Sequence, residues 1–136
     1  MISRTVYRVK FFDTDAMAVI HHSNYIRLFE IGRVELLRKA GITLDEIMAD
    51  GFVFPITEVR AKFHNPGKFD DELVIETKPA ALTKAKMAFD YRIARKDDDL
   101  LIVTGHTQNV FTKIETGHIA RLPEKYYDRF RAAMEN

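Results

Sequence analysis

The sequence contains no cysteine, and this absence excludes several kinds of chemistry at once. Disulfide bonds, metal sites built from thiolates and a cysteine nucleophile all need a residue that the chain does not have. An excess of one charge is also missing, because 21 lysines and arginines are balanced by 20 aspartates and glutamates, for a net charge of +1. This balance gives no electrostatic reason to expect binding to nucleic acid or to an anionic membrane.

Long hydrophobic runs are absent as well. No stretch approaches the roughly 20 apolar residues that a membrane-spanning helix needs. The N-terminal segment, MISRTVYRVK, lacks the apolar core of a secretion signal. No low-complexity tract, repeat or linker divides the 136 residues. We therefore expect a cytoplasmic protein with one domain, residues 1–136, and a single hydrophobic core.

One short segment concentrates the residues that can carry out chemistry. Residues 11–25 read FFDTDAMAVIHHSNY, which places Asp13 and Asp15 close to the adjacent His21 and His22. The segment leads directly into the longest helical pattern in the chain. Unpaired backbone N–H groups at the start of a helix favour negative charge, so this loop is the candidate active site.

Three helices are predicted, and their ends are recognisable. Ser23 or Asn24 can cap the first helix, and Gly41 suits the left-handed residue that follows a helix. Thr43 and Glu46 form a capping box at the start of the second helix. The predicted helices are residues 24 to about 40, residues 44 to about 49, and residues 124 to about 134.

Strand patterns occupy most of the remaining chain. Turn residues separate them at NPG (65–67), TKA (83–85) and DDD (97–99). Long strands joined by short turns indicate an antiparallel meander. The predicted strands are residues 5–12, 52–64, 71–82, 86–96 and 100–114.

The apolar face of the first helix is unusually wide. Its apolar side chains fill an arc of roughly 200° when projected at about 100° per residue. A long antiparallel sheet can bury such a helix by curling around it, which predicts an α+β fold with about five strands. Glu30 and Arg33 fall inside this arc, one turn apart. They can form a buried ion pair, or Glu30 can face the substrate.

The segment DTDAMAVIHHSNY resembles the signature of hotdog-fold acyl-CoA thioesterases of the 4-hydroxybenzoyl-CoA thioesterase type. That signature is approximately D-x-D-x-x-G-x-V/I-x-H/Y-x-x-Y, followed by a helix that carries an acid and an arginine. The likeness continues through VRAKFHNPGKFDDEL to the closing ARLP, so it covers nearly the whole chain. The matching positions are Asp13, Asp15, Val19 or Ile20, His22, Asn24, Tyr25, Glu30 and Arg33.

One position departs from this signature. Ala18 stands where the family usually has glycine. If the loop needs a positive φ at this position, the alanine would be strained there.

The resemblance implies a function and a role for each matched residue. It implies hydrolysis of an acyl-CoA thioester, without a cofactor or metal, at sites shared between the chains of a dimer or tetramer. Asp15 would be the nucleophile or general base, and the backbone N–H at or near His22 would polarise the thioester carbonyl. The residues expected to bind the substrate are Tyr25, Glu30, Lys84 and Lys86, the two lysines through the phosphates of coenzyme A.

Other interpretations of the same residues stay open. Asp13 and Asp15 can simply cap turns, which is the expected role of Asp13, while His21 is expected to pack or face solvent. The two aspartates and two histidines can also ligate zinc or iron, although adjacent loop residues seldom converge on one ion. Alternative functions are an acyl thioester dehydratase or hydratase, and a non-catalytic module that binds acyl-CoA or acyl-carrier protein.

Overall fold

Five antiparallel strands wrap around one long helix in this protein. The structure, a computed structural model, describes residues 1–135. The strands are β1 (Ser3–Arg8), β2 (Phe52–Val53), β3 (Ile56–Phe63), β4 (Glu72–Leu82), β5 (Lys86–Arg95), β6 (Leu101–Val110) and β7 (Thr112–Lys113). The helices are α1 (Asn24–Lys39), α2 (Leu44–Ala49) and α3 (Glu124–Glu135). The predicted α+β class, with a long helix and a five-stranded antiparallel sheet, is confirmed.

The order of the strands differs from a simple meander. The large sheet has the order β1-β4-β5-β6-β3, and β2 pairs with β7 in a separate two-stranded sheet. Strands β4, β5 and β6 are joined as predicted, but β3 pairs with β6 and not with β4. The NPG segment therefore does not close a hairpin. It begins the connection from β3, at one edge of the sheet, to β4, which lies on the far side of β6 and β5. Strands β1 and β3 form the two edges of the sheet.

Three predicted strands are shorter in the structure, for local reasons. The first was predicted to reach Phe12 but ends at Arg8, because residues 11–13 form a 3₁₀ turn in which the Asp13 N–H donates to the Lys10 carbonyl at 3.0 Å. The second is interrupted between Val53 and Ile56, where Pro55 has no N–H to donate. The last predicted strand is divided at Phe111, whose N–H donates to the carbonyl of Ala85 at 3.2 Å, into β6 and β7.

Helix α1 lies close against the concave face of the sheet. A side chain on Gly32 would overlap the side chain of Thr77, so this glycine lets the helix approach β4. Phe29 stacks on Tyr91 with 4.5 Å between ring centroids, and Gly105 leaves the space that the Phe29 ring fills. The sheet thus buries most of the apolar arc of α1, although Ile26 in that arc is 40% exposed. No helix within residues 1–135 is long and apolar enough to cross a membrane.

The helix caps agree only partly with the predictions. The Ser23 side chain does not cap α1, because its hydroxyl lies 2.9 Å from Nδ1 of His21, and Asn24 is already the first helical residue. At α2 the predicted cap is present, since the Glu46 N–H donates to Oγ1 of Thr43 at 3.2 Å. The reciprocal half of the capping box is missing because the Glu46 carboxylate binds an arginine of α3.

Candidate active site

Asp13 anchors the loop that joins β1 to α1. Its side-chain oxygen Oδ2 accepts the hydroxyl of Tyr7 at 2.7 Å and the backbone N–H of Lys10 at 2.8 Å. Asn24 donates its side-chain N–H to the carbonyl of Asp13 at 2.8 Å and so ties the loop to α1. Burial and the bond to Asp13 raise the pKa of Tyr7 to about 12. These contacts support the structural role expected for Asp13.

Asp15 lies in a tight turn beyond this anchor and is exposed. Its Oδ1 accepts the backbone N–H of Met17 at 2.8 Å, and its own N–H donates to the carbonyl of Val19 at 2.9 Å. The other carboxylate oxygen accepts no hydrogen bond within residues 1–135. Ala18 has φ of 60°, so the position where the signature has glycine does need the left-handed conformation.

His22 stands immediately before the first turn of α1. Across the described part of the chain, its backbone N–H donates to no acceptor. Its ring meets Phe63 of β3 edge-on, with 4.9 Å between the centroids. His21 instead places Nδ1 beside the hydroxyl of Ser23, and it is exposed. Of the two histidines, His22 therefore faces the end of β3.

A cavity of about 210 Å³ separates the Asp15 turn from the end of β3. Of the predicted site residues it contains Asp15, His22 and Tyr25. Tyr25 accepts the backbone N–H of Gly67 at 3.1 Å, and burial raises the pKa of its phenol. The residues that line the cavity are Asp15, Val19, Ile20, His22, Tyr25, Phe63, His64, Asn65 and Pro66.

The second wall of the cavity, residues 63–66, was missed as a site from the sequence. The sequence predicts a strand that ends at His64 and a turn at residues 65–67, and the likeness of this segment to the family gives it no role. Asn65 donates its side-chain N–H to the carbonyl of Leu101 at 2.8 Å, which fixes this wall to β6. The imidazole of His64 lies 3.2 Å from Oγ1 of Thr104.

Glu30 and Arg33 form the predicted ion pair one turn apart, but only Arg33 is buried. The Arg33 side chain is 9% exposed, whereas that of Glu30 is 63% exposed, and 3.7 Å separates Arg33 Nη2 from Glu30 Oε1. The expectation that both side chains are buried was wrong, because the flank of α1 that carries Glu30 is exposed. Glu30 projects from this flank and does not line the cavity.

Lys84 and Lys86 lie at the opposite end of the sheet from the cavity. Lys86 pairs with Val110 of β6, whereas the cavity residue Phe63 pairs with Val103. The seven residue-to-residue steps from Val103 to Val110 span roughly 24 Å at about 3.4 Å per step. Within one chain, these lysines therefore do not share a cavity with the catalytic loop.

The metal-site interpretation finds no geometric support. In the residues that the structure describes, no group of three or more histidine, aspartate or glutamate side chains is placed to hold one ion. The Asp13 carboxylate already accepts hydrogen bonds from the Tyr7 hydroxyl and the Lys10 N–H, so it does not join Asp15 as a ligand of one ion.

The wrapped helix and the acidic loop at its start define the class of this protein as a hotdog-fold thioester hydrolase. The chain belongs to the thioesterase-like superfamily, whose family model matches residues 9–130. This match confirms the family that the loop signature predicted.

Individual relatives agree with this assignment. The chain is 30% identical over 94 residues to the acyl-CoA thioester hydrolase YbgC of Escherichia coli O6:H1, covering 69% of this chain and 70% of the relative. The crystal structure of TT1821 from Thermus thermophilus superposes with a TM-score of 0.90 at 31% identity, over 98% of each chain. Slr0204, a 1,4-dihydroxy-2-naphthoyl-CoA thioesterase from Synechocystis, shares the fold with a TM-score of 0.87 at 18% identity, over 100% of this chain and 97% of that one.

Proposed function

We propose that this one-domain thioesterase hydrolyses acyl-CoA and that Asp15 is the carboxylate that reacts. One observation carries the proposal: the Asp15 carboxylate and the unpaired backbone N–H of His22 belong to residues that line one cavity at the start of α1. The relative YbgC is named as an acyl-CoA thioester hydrolase, which supports the same substrate class.

The Asp15 carboxylate and the His22 N–H have different roles in the proposed hydrolysis. The Asp15 carboxylate attacks the thioester carbonyl, which releases the thiolate and leaves an anhydride for water to cleave, or it takes a proton from the water that attacks. Both routes place negative charge on the carbonyl oxygen. The His22 N–H donates a hydrogen bond to that oxygen, and the adjacent N-terminus of the 16-residue helix α1 favours the same charge.

A homodimer would bring the distant lysines to this site. Strand β3 is an edge strand, and its side chains Val59 and Phe63 are 38% and 47% exposed. Exposed edges of this kind are normally paired or covered. If two copies pair antiparallel along β3, the Ile56 end of one strand lies beside the Phe63 end of the other. The end of the sheet that carries Lys84 and Lys86 then approaches the cavity of the second copy.

We therefore propose that Lys84 and Lys86 bind the phosphates of coenzyme A at the partner's site. Tyr25 would line the acyl pocket of its own chain, and Glu30, on the uncovered flank of α1, would meet the substrate where the two chains join. Two such dimers would form a tetramer. Light scattering tests the assembly: a monomer whose activity does not depend on dilution would contradict it.

Thiol release from a panel of acyl-CoA substrates tests the reaction. We expect turnover of at least one of butanoyl-, octanoyl-, benzoyl- and 4-hydroxybenzoyl-CoA, and loss of that turnover in Asp15→Asn. Asp45→Asn, an exposed change in α2, is the matched control and should keep the activity. Binding without turnover would indicate an acyl-CoA binding module, and addition of water to an enoyl-CoA would indicate a hydratase. Cell fractionation tests the proposed cytoplasmic location.

A further inference from the structure

Two neighbouring clefts lie at the end of the sheet that carries Lys84. One has a volume of about 380 Å³ and is formed by Lys84 and the first turns of α3, and we call it the α3 cleft. The other has a volume of about 520 Å³ and lies against Phe52 of β2 and Lys113 of β7, and we call it the β7 cleft. Arg121 lines both clefts, so they meet at its side chain.

Backbone hydrogen bonds on either side of Arg121 fix its position. The N–H of Ala120 donates to the carbonyl of Phe111 at 2.8 Å. The N–H of Leu122 donates to the carbonyl of Lys84 at 2.6 Å. Arg121 therefore belongs to a segment that is tied directly to the turn carrying Lys84, and the two cations come from adjacent parts of the backbone.

The two side chains are ready to meet an anion. The ammonium of Lys84 lies 4.5 Å from the centre of the Tyr127 ring, and this cation–π contact restrains a flexible side chain beside the α3 cleft. Arg121 is exposed, and its side chain forms no ion pair or hydrogen bond within residues 1–135. A guanidinium without a partner can bind two oxygens of one phosphate, next to the lysine.

Cations outnumber acids in the lining of the two clefts. The cations are Lys84, Lys113, Arg121 and Arg131, and the acids are Glu124 and Asp128. Both acids belong to α3, and in the described chain neither of them forms an ion pair with Lys84 or Arg121. The charges of these two cations therefore stay available to a ligand.

The shape of the site favours a nucleotide over a protein. Clefts of roughly 300–1,000 Å³ are typical of sites for small molecules and cofactors, and both clefts fall in this range. A carrier protein would instead cover a broad surface of about 800 Å². The nucleotide of coenzyme A carries a diphosphate on one side of its ribose and a single 3′-phosphate on the other, so it needs cations at two neighbouring places.

From this arrangement we propose that Arg121 binds the 3′-phosphate of coenzyme A, beside the diphosphate at Lys84. The contact makes the protein select acyl-CoA over acyl thioesters that lack the 3′-phosphate. The substrate class rests on the proposed function, but the anion site itself lies within one chain and does not depend on Asp15.

Binding of adenosine 3′,5′-bisphosphate tests the contact without hydrolysis. By calorimetry we expect the full chain to bind this nucleotide at least about tenfold more tightly than adenosine 5′-monophosphate. Arg121→Gln should abolish the difference, and Arg121→Lys, which keeps the charge, should retain part of it. The matched control is Arg38→Gln, at a side chain that is 61% exposed and lines neither cleft, and it should bind like the wild type.

Turnover provides the second measurement. One acyl-CoA is compared with its 3′-dephospho analogue, and Arg121→Gln should lower kcat/KM for acyl-CoA by at least about tenfold while the value for the analogue stays that of the wild type. A wild-type protein that does not distinguish the two nucleotides, or an equal loss in Arg38→Gln, would overturn the proposal. An Arg121-dependent preference for acyl-carrier protein over acyl-CoA would also overturn it. Discrimination of the nucleotides through Arg121 without hydrolysis of any acyl-CoA would support this contact and contradict the proposed function.

Discussion

The hydroxyl of Tyr25 accepts the backbone N–H of Gly67 at 3.1 Å, and this bond joins the two walls of the candidate active site. Tyr25 belongs to the first turn of α1, and Gly67 follows the segment that leaves β3. The bond is buried, so the N–H has no water to replace the phenol if the phenol is removed. The Ile20 N–H also donates to the carbonyl of Gly67 at 2.8 Å, so the phenol adds a second bond between the same two walls.

Tyr25→Phe should destabilise the protein through this bond. Leaving a buried N–H unpaired costs about 1–3 kcal/mol, and we expect the free energy of unfolding measured in urea to fall by that amount. Tyr127→Phe removes a hydroxyl from a half-buried tyrosine of α3 and should change the same quantity by less than about 0.5 kcal/mol. Equal effects of the two changes would show that the Tyr25 bond contributes little.

Ala18→Gly should stabilise the catalytic loop. A left-handed conformation costs a residue with a Cβ roughly 1–2 kcal/mol, whereas glycine loses about 0.5–1 kcal/mol more entropy on folding. The difference predicts a gain of up to about 1.5 kcal/mol in the free energy of unfolding. The neighbouring Ala16 does not have a positive φ, so Ala16→Gly should lower the stability instead. The same sign for both changes would contradict this explanation.

Removal of charge at Lys84 and Lys86 should weaken binding of the nucleotide part of the substrate. Lys84 already holds its ammonium 4.5 Å from the centre of the Tyr127 ring, and both lysines are exposed. We expect Lys84→Gln with Lys86→Gln to raise the KM for acyl-CoA more than it lowers kcat, as loss of uniform binding does. With a short acyl thioester that lacks the nucleotide, the variant should match the wild type. A similar loss on both substrates would reject the assignment.

Exhaustive chelation should leave turnover unchanged if Asp15 and the start of α1 supply the chemistry. The measurement is the rate of thiol release before and after treatment with a chelator, with zinc or iron added back. Activity that disappears on chelation and returns with one of these metals would favour a metal site that includes Asp15 and His22.

Local signals predicted the helices well and the order of the strands poorly. Gly41 and Thr43 mark helix ends through their own backbone or side chain, and the ends of α1 and α2 fall within about one residue of the prediction. The place of β3 depends instead on which strand it meets, and nothing within residues 52–64 encodes its partner. The curled sheet explains the wide arc of α1, but the arc alone does not reveal that the flank carrying Glu30 is left uncovered.

The residues of the candidate site also divide into those that a local sequence signal identifies and those that only the fold brings together. Asp15, His22 and Tyr25 share one short segment, so a motif could identify all three. In the structure these three residues line one cavity. Phe63 and Asn65 come from a segment about 40 residues further along the chain, and only the fold brings them opposite the motif. Their residue types carry no chemical signal of their own, since a phenylalanine and an asparagine beside a proline are typical of many turns.

The role of Asp15 is best separated from that of Asp13 by the same substitution at both positions. Asp15→Asn keeps the size of the side chain but removes both the nucleophile and the base. It should leave the free energy of unfolding and acyl-CoA binding nearly unchanged while kcat falls by orders of magnitude, as when only transition-state stabilisation is lost. Asp13→Asn weakens the bonds to Tyr7 and Lys10, and we expect a loss of about 1–3 kcal/mol of stability before any loss of chemistry.

His22→Ala completes this comparison, because the backbone donor survives removal of the imidazole. Its kcat should therefore lie between those of the wild type and Asp15→Asn, provided that the backbone N–H is what meets the carbonyl oxygen. Thiol release, urea unfolding and acyl-CoA binding are measured on all three variants. An Asp15→Asn protein that folds, binds acyl-CoA and hydrolyses it near the wild-type rate would end this mechanism, because no other carboxylate lines the cavity in the described chain.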